Sequence, residues 1–502
     1  MGEHGTAMNT IRSYSRRTVA ALAVILLLGF FLRCWQIQQE SPWWDETVAL
    51  EPITAPSLVE FIRLERSVDP PMTPVYFTLA YAWSRLTSTS VDAMRMLSVL
   101  FGLGSVVTIF FVGKRLYNAA TGLIAAAGLA LSMPHIYYSQ EVRVYALVTL
   151  LALLSMLFFI QALQNGRRLH WLLHGVANFL LIFTHLFAVY LLAAQWVYLL
   201  IYNRRALRMW TLAHGSFGLL LFLWLQTVDL SNIDQAAHWI VQPGLRELGM
   251  LLLIFAGGRP SNENPASHLP SGLSLDIPLA LMMAGLAALL VVSTAWPKVA
   301  GSRFRDKAFS RSTVLLLLWG VVPFAALVIM SFVWRPCFVP RYILYASLPL
   351  YLMMAAALAN MTLRKTAIGT AIILLLLSIH QLSAITTGPF RPDWRAVSRH
   401  LEQKTAPQDT VVAFQGINAE ALRYNSSLNP KQIERVDVWS AICGAVMTAQ
   451  QQGDAYVVVW LWSDPSNIES YFRDNNLAFS HKDFAGWPPL RVYHLPAKEE
   501  AP

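Results

Sequence analysis

Long apolar runs separated by short connectors rich in arginine and lysine dominate the chain up to about residue 386. The runs fall near 18–35, 96–113, 119–135, 144–163, 171–187, 188–202, 209–227, 276–296, 312–334, 342–361 and 366–386. Most have the length of roughly 17–25 residues that carries a helix across a bilayer. Backbone groups in lipid are satisfied only within helices or closed barrels, and uninterrupted Leu/Ala/Val runs lack the alternation of a barrel strand. The pattern predicts a mostly α protein, a polytopic transmembrane bundle of about eleven spans. A shorter apolar stretch at 246–257 predicts an interfacial or re-entrant helix on the outer side. The first run follows Arg12, Arg16 and Arg17 as a signal peptide would, but no small-residue cleavage pattern closes it. It therefore reads as an uncleaved anchor.

Past residue 387 the pattern changes. DTVVAF (409–414), IERVDVW (433–439), DAYVVVWLW (454–462) and LRVYHL (490–495) read as strands, interleaved with helical patterns at 393–404, 418–425 and 466–475. That alternation predicts a small α/β domain. It carries no glycine-rich phosphate loop, so no nucleotide is assigned to it. The expected organisation is a transmembrane domain over 1–386, with a long first outer loop at 36–95, and an extracytoplasmic α/β domain over 387–502.

Composition agrees with the runs: 55% of the 502 residues are hydrophobic and only 13% charged, and mean hydropathy is +0.46. The net charge of +9 does not point to nucleic acid, because the cations sit between apolar runs. Before the first span and in alternate connectors lie 17 lysines and arginines, from Arg12 through Lys114-Arg115, Arg167-Arg168, Arg204-Arg205-Arg208 and the 298–311 group to Arg364-Lys365. The positive-inside rule then puts the N-terminus in the cytoplasm and the C-terminus outside, in a bacterial inner membrane. Cys34, Cys337 and Cys443 show no metal-ligand spacing, and the first two leave an outer-side disulfide open.

The residues that can carry chemistry collect on the outer side. The first loop holds Trp43-Trp44-Asp45-Glu46 and then Asp69-Pro70-Pro71-Met72. The tryptophans fit an interfacial aromatic belt with solvated acids. The same carboxylates fit a general base, or a metal ligand, for an incoming hydroxyl or amine. The hairpin Tyr137-Tyr138-Ser139-Gln140-Glu141-Val142-Arg143-Val144-Tyr145 places ionisable groups at the end of a span, where they must pair or line a cavity. Arg143 stands apart from the cytoplasmic cations. It reads either as a snorkelling arginine paired with Glu141 or a headgroup, or, with Tyr145 nearby, as a phosphate holder. Arg341-Tyr342 begins a later span from the same side, and Thr184-His185 ends another. His185 is more often a packed residue than a base. Asp393-Trp394-Arg395 reads as the joint between membrane and outer domain.

Taken in order, WDE, DPP, PHIYYSQEVRVYALVTLLALLS, THLFAVYLLAAQ, PRYILYASLPL and PDWRAVSRHL resemble bacterial family-39-type membrane glycosyltransferases of the GT-C fold. Relatives of that family include the protein O-mannosyltransferases and the lipid A aminoarabinose transferase. The likeness covers roughly 36–400, and YSQE-x-R-x-Y is its most specific part. It implies a polyprenyl-phosphate-linked sugar donor, an outer-face site and inversion at the anomeric carbon. Asp45 matches the first-loop acid that activates the acceptor, and Glu46 its neighbour. Gln140, Glu141, Arg143 and Tyr145 match the hairpin, and Arg341 and Tyr342 the late PRY element. One departure stands out: the family's His-Pro-Pro with a following Leu-Tyr is here Asp69-Pro70-Pro71-Met72-Thr73-Pro74. Asp45, Glu46 and Asp69 are the candidates for a divalent cation, and no other cofactor is expected.

The expected activity is transfer of a hexosyl or pentosyl group from a lipid-phosphate donor to an envelope acceptor that is lipid, glycan or protein. Arg143, Tyr145, Arg341 and Tyr342 would hold the donor phosphate, with Asp69, Gln140, Glu141 and His185 in support. The alternatives are an oligosaccharide ligase or polymerase, a lipid-linked-sugar transporter and a non-catalytic envelope scaffold. A transporter predicts charged mid-membrane residues and broken helices, and the span centres are almost free of charge. Cysteine labelling checks the orientation: cysteines placed at 114–115, 167–168 and 204–208 should label only from the cytoplasmic side, and those within 409–495 only from outside. Outer labelling at 204–208 would overturn it.

Overall fold

The computed structural model describes residues 15–68, 74–226, 240, 242–255, 307–361, 364–386, 391–414, 416–461, 466–486 and 489–497. The predicted span at 276–296, the 298–306 connector and the Asp69–Thr73 element lie outside these. The chain opens with α1 (Arg16–Cys34), three shorter helices α2 (Trp44–Ile53), α3 (Leu58–Val68) and α4 (Pro74–Leu86), and the long α5 (Val91–Leu116). There follow α6 (Ala119–Leu131), α7 (Met133–Ser139), α8 (Tyr145–Asn165), α9 (Arg168–Ile182), α10 (Val189–Tyr202) and α11 (Leu207–Leu225). Then come α12 (Leu245–Phe255), α13 (Lys307–Val333), α14 (Leu348–Asn360) and α15 (Arg364–Thr386). Among the described residues six helices are long and apolar enough to cross a membrane, or eight if each of two bent pairs counts as one span. Exposed Val24 and Leu27 on α1 and Leu376 and Ile379 on α15 give the apolar outer surface that lipid requires.

Two runs that read as continuous are broken. The run at 119–135 bends by 62° between α6 and α7. A break in a buried helix frees carbonyls that must find donors. Arg33, fully buried on α1, supplies them: its guanidinium donates to the carbonyls of Leu129 and Ala130 and to Ser139 Oγ. A cation there also complements the negative end of α6. The second break, at Phe183–His185, separates α9 from a 3-10 segment Leu186–Ala188 that leads into α10.

The bundle packs around α5, α6 and α8. The α5–α6 crossing is close because two glycines face each other: a Cβ on Gly113 would lie 3.0 Å from the Gly122 Cα, and one on Gly122 would strike the Phe110 carbonyl oxygen. Small residues that let backbones approach are the usual membrane helix interface. Away from that crossing, the interior holds a polar knot. Ser155 Oγ donates to Asn178 Oδ1 at 2.6 Å, Gln195 Nε2 donates to Ser155 Oγ, and Asn178 Nδ2 lies 2.8 Å from His214 Nε2. This ties α8, α9, α10 and α11 without a formal charge.

The C-terminal unit holds α16 (Trp394–Lys404), α17 (Gly416–Asn425), α18 (Trp439–Ala449) and α19 (Ser466–Asp474) around a sheet ordered β2-β1-β3-β5-β4. Its strands are β1 (Thr410–Phe414), β2 (Ile433–Val436), β3 (Ala455–Trp460), β4 (Ser480–Phe484) and β5 (Leu490–Leu495). β1 pairs parallel with β2 and β3, while β5 runs antiparallel to β3 and β4. β3 is buried at every position, as a central strand covered on both faces must be. All three cysteines are free thiols, so no Cys34–Cys337 disulfide forms. The α5–α6 contact yields a prediction: Gly122→Val should separate the helices and cost about 1–3 kcal/mol. Thermal unfolding in detergent reads this, and an unchanged midpoint would argue against the close crossing.

Candidate active site

Three segments meet at one end of the bundle: the start of α2, the Gln140–Val144 turn between α7 and α8, and the 3-10 segment Pro340–Ser347 that leads into α14. Trp43 is the extended cap residue of α2, so Asp45 and Glu46 fall in its first turn, where helix amides favour carboxylates. Trp43 does not join an interfacial belt. Its ring is buried in the core of the C-terminal unit with Trp394, Leu401 and Trp460, and its indole N–H donates to Glu141 Oε1 at 2.8 Å.

Glu46 is completely buried and fully engaged. Arg95 Nε donates to Oε1 at 2.9 Å and Arg95 Nη2 to Oε2 at 2.6 Å, a bidentate fork. The Val142 N–H donates to Oε1, and Arg391 Nη1 reaches Oε2 at 3.4 Å. Burial alone would raise this carboxyl's pKa, but Arg95, Arg391 and these hydrogen bonds outweigh it and hold it below the ordinary value. Both Glu46 oxygens are thus held by cations, a different setting from that of Asp45.

Asp45, 2% exposed, is held differently. Its Oδ2 lies 3.1 Å from Nη1 of Arg341 as an ion pair without hydrogen-bond alignment. Arg143 Nη1 donates to the Asp45 carbonyl at 3.4 Å rather than pairing with Glu141. The Arg341 guanidinium lies 5.8 Å from the Tyr145 ring centre. Tyr145 packs on Tyr138 and on His185, and His185 lies against Tyr342 with ring centres 5.2 Å apart. His185 Nδ1 finds no hydrogen-bond partner among the described residues. Asp45, Arg143, Tyr145, His185, Arg341 and Tyr342 thus converge, whereas Asp69 lies outside the described residues.

The hairpin's other two members divide their work. Gln140 Nε2 donates to the carbonyls of Arg33 and Trp35, closing the end of α1. Glu141 is fully buried, and its Oε2 has no hydrogen-bond partner among the described residues. Burial first, then the nearby Asp45 and Glu46 charges, push its pKa up to about 7 against the opposing pull of Arg391 and Arg341.

Sequence reasoning missed Arg95 and Arg391. Arg95 sends five N–H groups to Glu46 and to the carbonyls of Ile37, Glu40 and Ser41, folding the first loop around itself. Both stand outside the basic connectors, the same signal that singled out Arg143. As a divalent-cation site the carboxylates fit poorly: Glu46 is saturated by guanidinium groups and Asp45 faces Arg341. Among the described residues no group of three or more His, Cys, Asp or Glu is set to hold a metal.

Comparisons with known proteins agree on the fold. Residues 69–226 match the family model described as dolichyl-phosphate-mannose-protein mannosyltransferase. Comparison with curated proteins by sequence gives no match. ArnT from Cupriavidus metallidurans in the apo state superposes with TM-score 0.55 at 12% identity, covering 95% of this chain and 97% of that one. The same protein bound to undecaprenyl phosphate gives TM-score 0.53 at 13% identity over 96% and 98% of the two chains. The oligosaccharyltransferase AglB from Archaeoglobus fulgidus, in complex with an inhibitory peptide and a dolichol-phosphate, gives 0.52 at 11% identity over 97% of this chain and 75% of that one. The resemblance carried by the motifs therefore holds: the chain is a multi-pass membrane protein with the GT-C fold, similar to membrane glycosyltransferases of the dolichyl-phosphate-mannose-protein mannosyltransferase kind.

Proposed function

We propose that this protein is an inverting glycosyltransferase that moves a sugar from a polyprenyl-phosphate donor to an envelope acceptor at the outer face of the inner membrane. The observation that carries the reading is the pairing of Asp45 with Arg341 beside Arg143 and Tyr145. One carboxylate and two guanidinium groups in a nearly dry site are what a displacement at an anomeric carbon needs. The lipid phosphates held by ArnT and AglB support the donor class. The positive-inside orientation supports the outer face.

In this mechanism the donor phosphate competes with Asp45 for Arg341, and Arg143 adds a second guanidinium. A phosphate diester is already a tolerable leaving group, so the arginines mainly position it and take up its developing charge. Once Arg341 turns to phosphate, the Asp45 carboxylate is released from its ion pair. It then accepts the proton of the acceptor hydroxyl or amine as that atom bonds the anomeric carbon. The carbon–oxygen bond to phosphate breaks, and the electron pair leaves with the lipid phosphate. Backside attack inverts the anomeric centre. Burial pushes the Glu141 carboxyl up to about 7, so a second full anion beside Asp45 is disfavoured below that pH.

Purified protein in lipid, offered a panel of polyprenyl-phosphate sugars, tests the reading. Asp45→Asn should lower turnover about 10²–10⁴-fold in protein that still folds, with undecaprenyl phosphate bound at least as tightly, because Arg341 is released. Arg341→Ala and Arg143→Ala should raise the donor KM. Full turnover in Asp45→Asn removes Asp45 from the role.

Glu141 gives a separate test. Its folded pKa of about 7 stands above the ordinary 4.5, so the neutral carboxyl stabilises the fold below the ordinary value, and that contribution is lost as pH rises through about 7. Glu141→Gln fixes the neutral form. Its unfolding midpoint should fall less than the wild type's between pH 5 and 8, and parallel curves would argue against a neutral Glu141.

A further inference from the structure

We infer that Arg391 is a positioning residue of this site, acting through the Glu46 carboxylate and the Tyr137–Gln140 backbone, and that it couples the C-terminal α/β unit to the chemistry at Asp45. The inference rests on the proposed role of Asp45 and extends it to a part of the chain that nothing in the family likeness assigns to the site.

Arg391 is fully buried although it stands at the entry to the C-terminal unit. Its Nη1 donates to the Gln140 carbonyl at 2.9 Å and reaches Glu46 Oε2 at 3.4 Å. Nη2 donates to the Tyr137 carbonyl at 3.3 Å, and the guanidinium lies 4.8 Å from the Tyr137 ring centre. Its backbone N–H donates to Glu40 Oε2 at 3.1 Å. The guanidinium thus ties α2 to the hairpin, and the backbone N–H of the same residue adds Glu40 of the first loop. A lysine could not reproduce that geometry, because its single ammonium has no fork.

The other end of the tie is fixed by the C-terminal unit. The Asp393 N–H donates to the Ala485 carbonyl at 3.3 Å. Gly486 has φ +121°, and a Cβ there would strike the Arg391 carbonyl oxygen. Ser41 Oγ donates to Asp393 Oδ1 and accepts from the Arg395 N–H. Asn425 Nδ2 donates to the Pro42 carbonyl at 3.0 Å, and Trp43 is buried in the unit's core. The stretch 40–46 is therefore gripped between the bundle and the α/β unit. Asp45 is the next residue to Glu46 in the first turn of α2, so its aim at Arg341 follows the seat that Arg95 and Arg391 give Glu46.

The test uses the full-length protein in lipid with Arg391→Gln, Arg391→Lys and Gly486→Ala. The last moves the joint through the Arg391 backbone carbonyl and alters no side chain of the site. All three should lower kcat, Arg391→Gln by about 10²-fold, the scale of a misplaced reacting group. Donor KM and undecaprenyl phosphate binding should stay near wild type, and Arg391→Lys should not rescue. In a Glu46→Gln background, Arg391→Gln should add little further loss. Amide exchange in Arg391→Gln should quicken over 40–47 and 137–142 while 410–495 stays protected. An unchanged kcat in Arg391→Gln or Gly486→Ala overturns the inference, as does a loss confined to KM or full additivity with Glu46→Gln. If the wild type transfers no sugar, the proposed function fails, and the exchange result alone still decides whether Arg391 holds these segments.

Discussion

Glu46 and the two guanidinium groups that neutralise it, from Arg95 and Arg391, are the constraint around which this end of the protein is built. A carboxylate buried to 0% exposure cannot stay charged without close cations. Removing one partner of such a pair typically costs about 3–5 kcal/mol, far more than any surface ion pair contributes. That demand fixes where the first loop must lie. Arg95 takes up its carbonyls at Ile37, Glu40 and Ser41, and Arg391 brings in the chain entering the α/β unit. Asp45 inherits its place from this arrangement.

The neighbouring carboxylates differ because their partners differ. Among the described residues Glu46 sits in a fixed cage, Asp45 faces Arg341, and Glu141 has one oxygen bound to an indole and the other without a hydrogen-bond partner. Glu46 and Glu141, within one small volume, are thereby pushed apart in proton affinity, the first down and the second up. The aromatic rings of Tyr145, His185 and Tyr342 wall the Asp45–Arg341 pair and keep the local dielectric low, which strengthens every charge contact there.

The bundle that carries this site was largely legible in the sequence, where hydrophobic length and flanking cations agree. The run at 144–163, closed by Arg167-Arg168, is the helix Tyr145–Asn165. The strands written by TVVAF and AYVVVW appear where their apolar runs put them. The 62° break after Leu131 was not legible, because apolar composition is the same on both sides of it and the donor that stabilises it, Arg33, lies 97 positions from Ala130. Nor was the fate of Trp43. A tryptophan beside a membrane interface and one in a domain core look alike along the chain, and only the packing of Trp394 and Leu401 against it distinguishes them.

By itself the sequence determined that the chain lives in a bilayer and which charged groups stand apart from the basic connectors, since both follow from local length, composition and spacing. It also brought Asp45, Arg143 and Arg341 forward as a set. The tertiary structure alone decided which acid meets which arginine. Glu46 and Arg95 are 49 positions apart, and Glu46 and Arg391 are 345 apart. No local pattern encodes such a pairing. It arises when folding removes water from several charges at once and leaves only a few geometries in which all of them are neutralised.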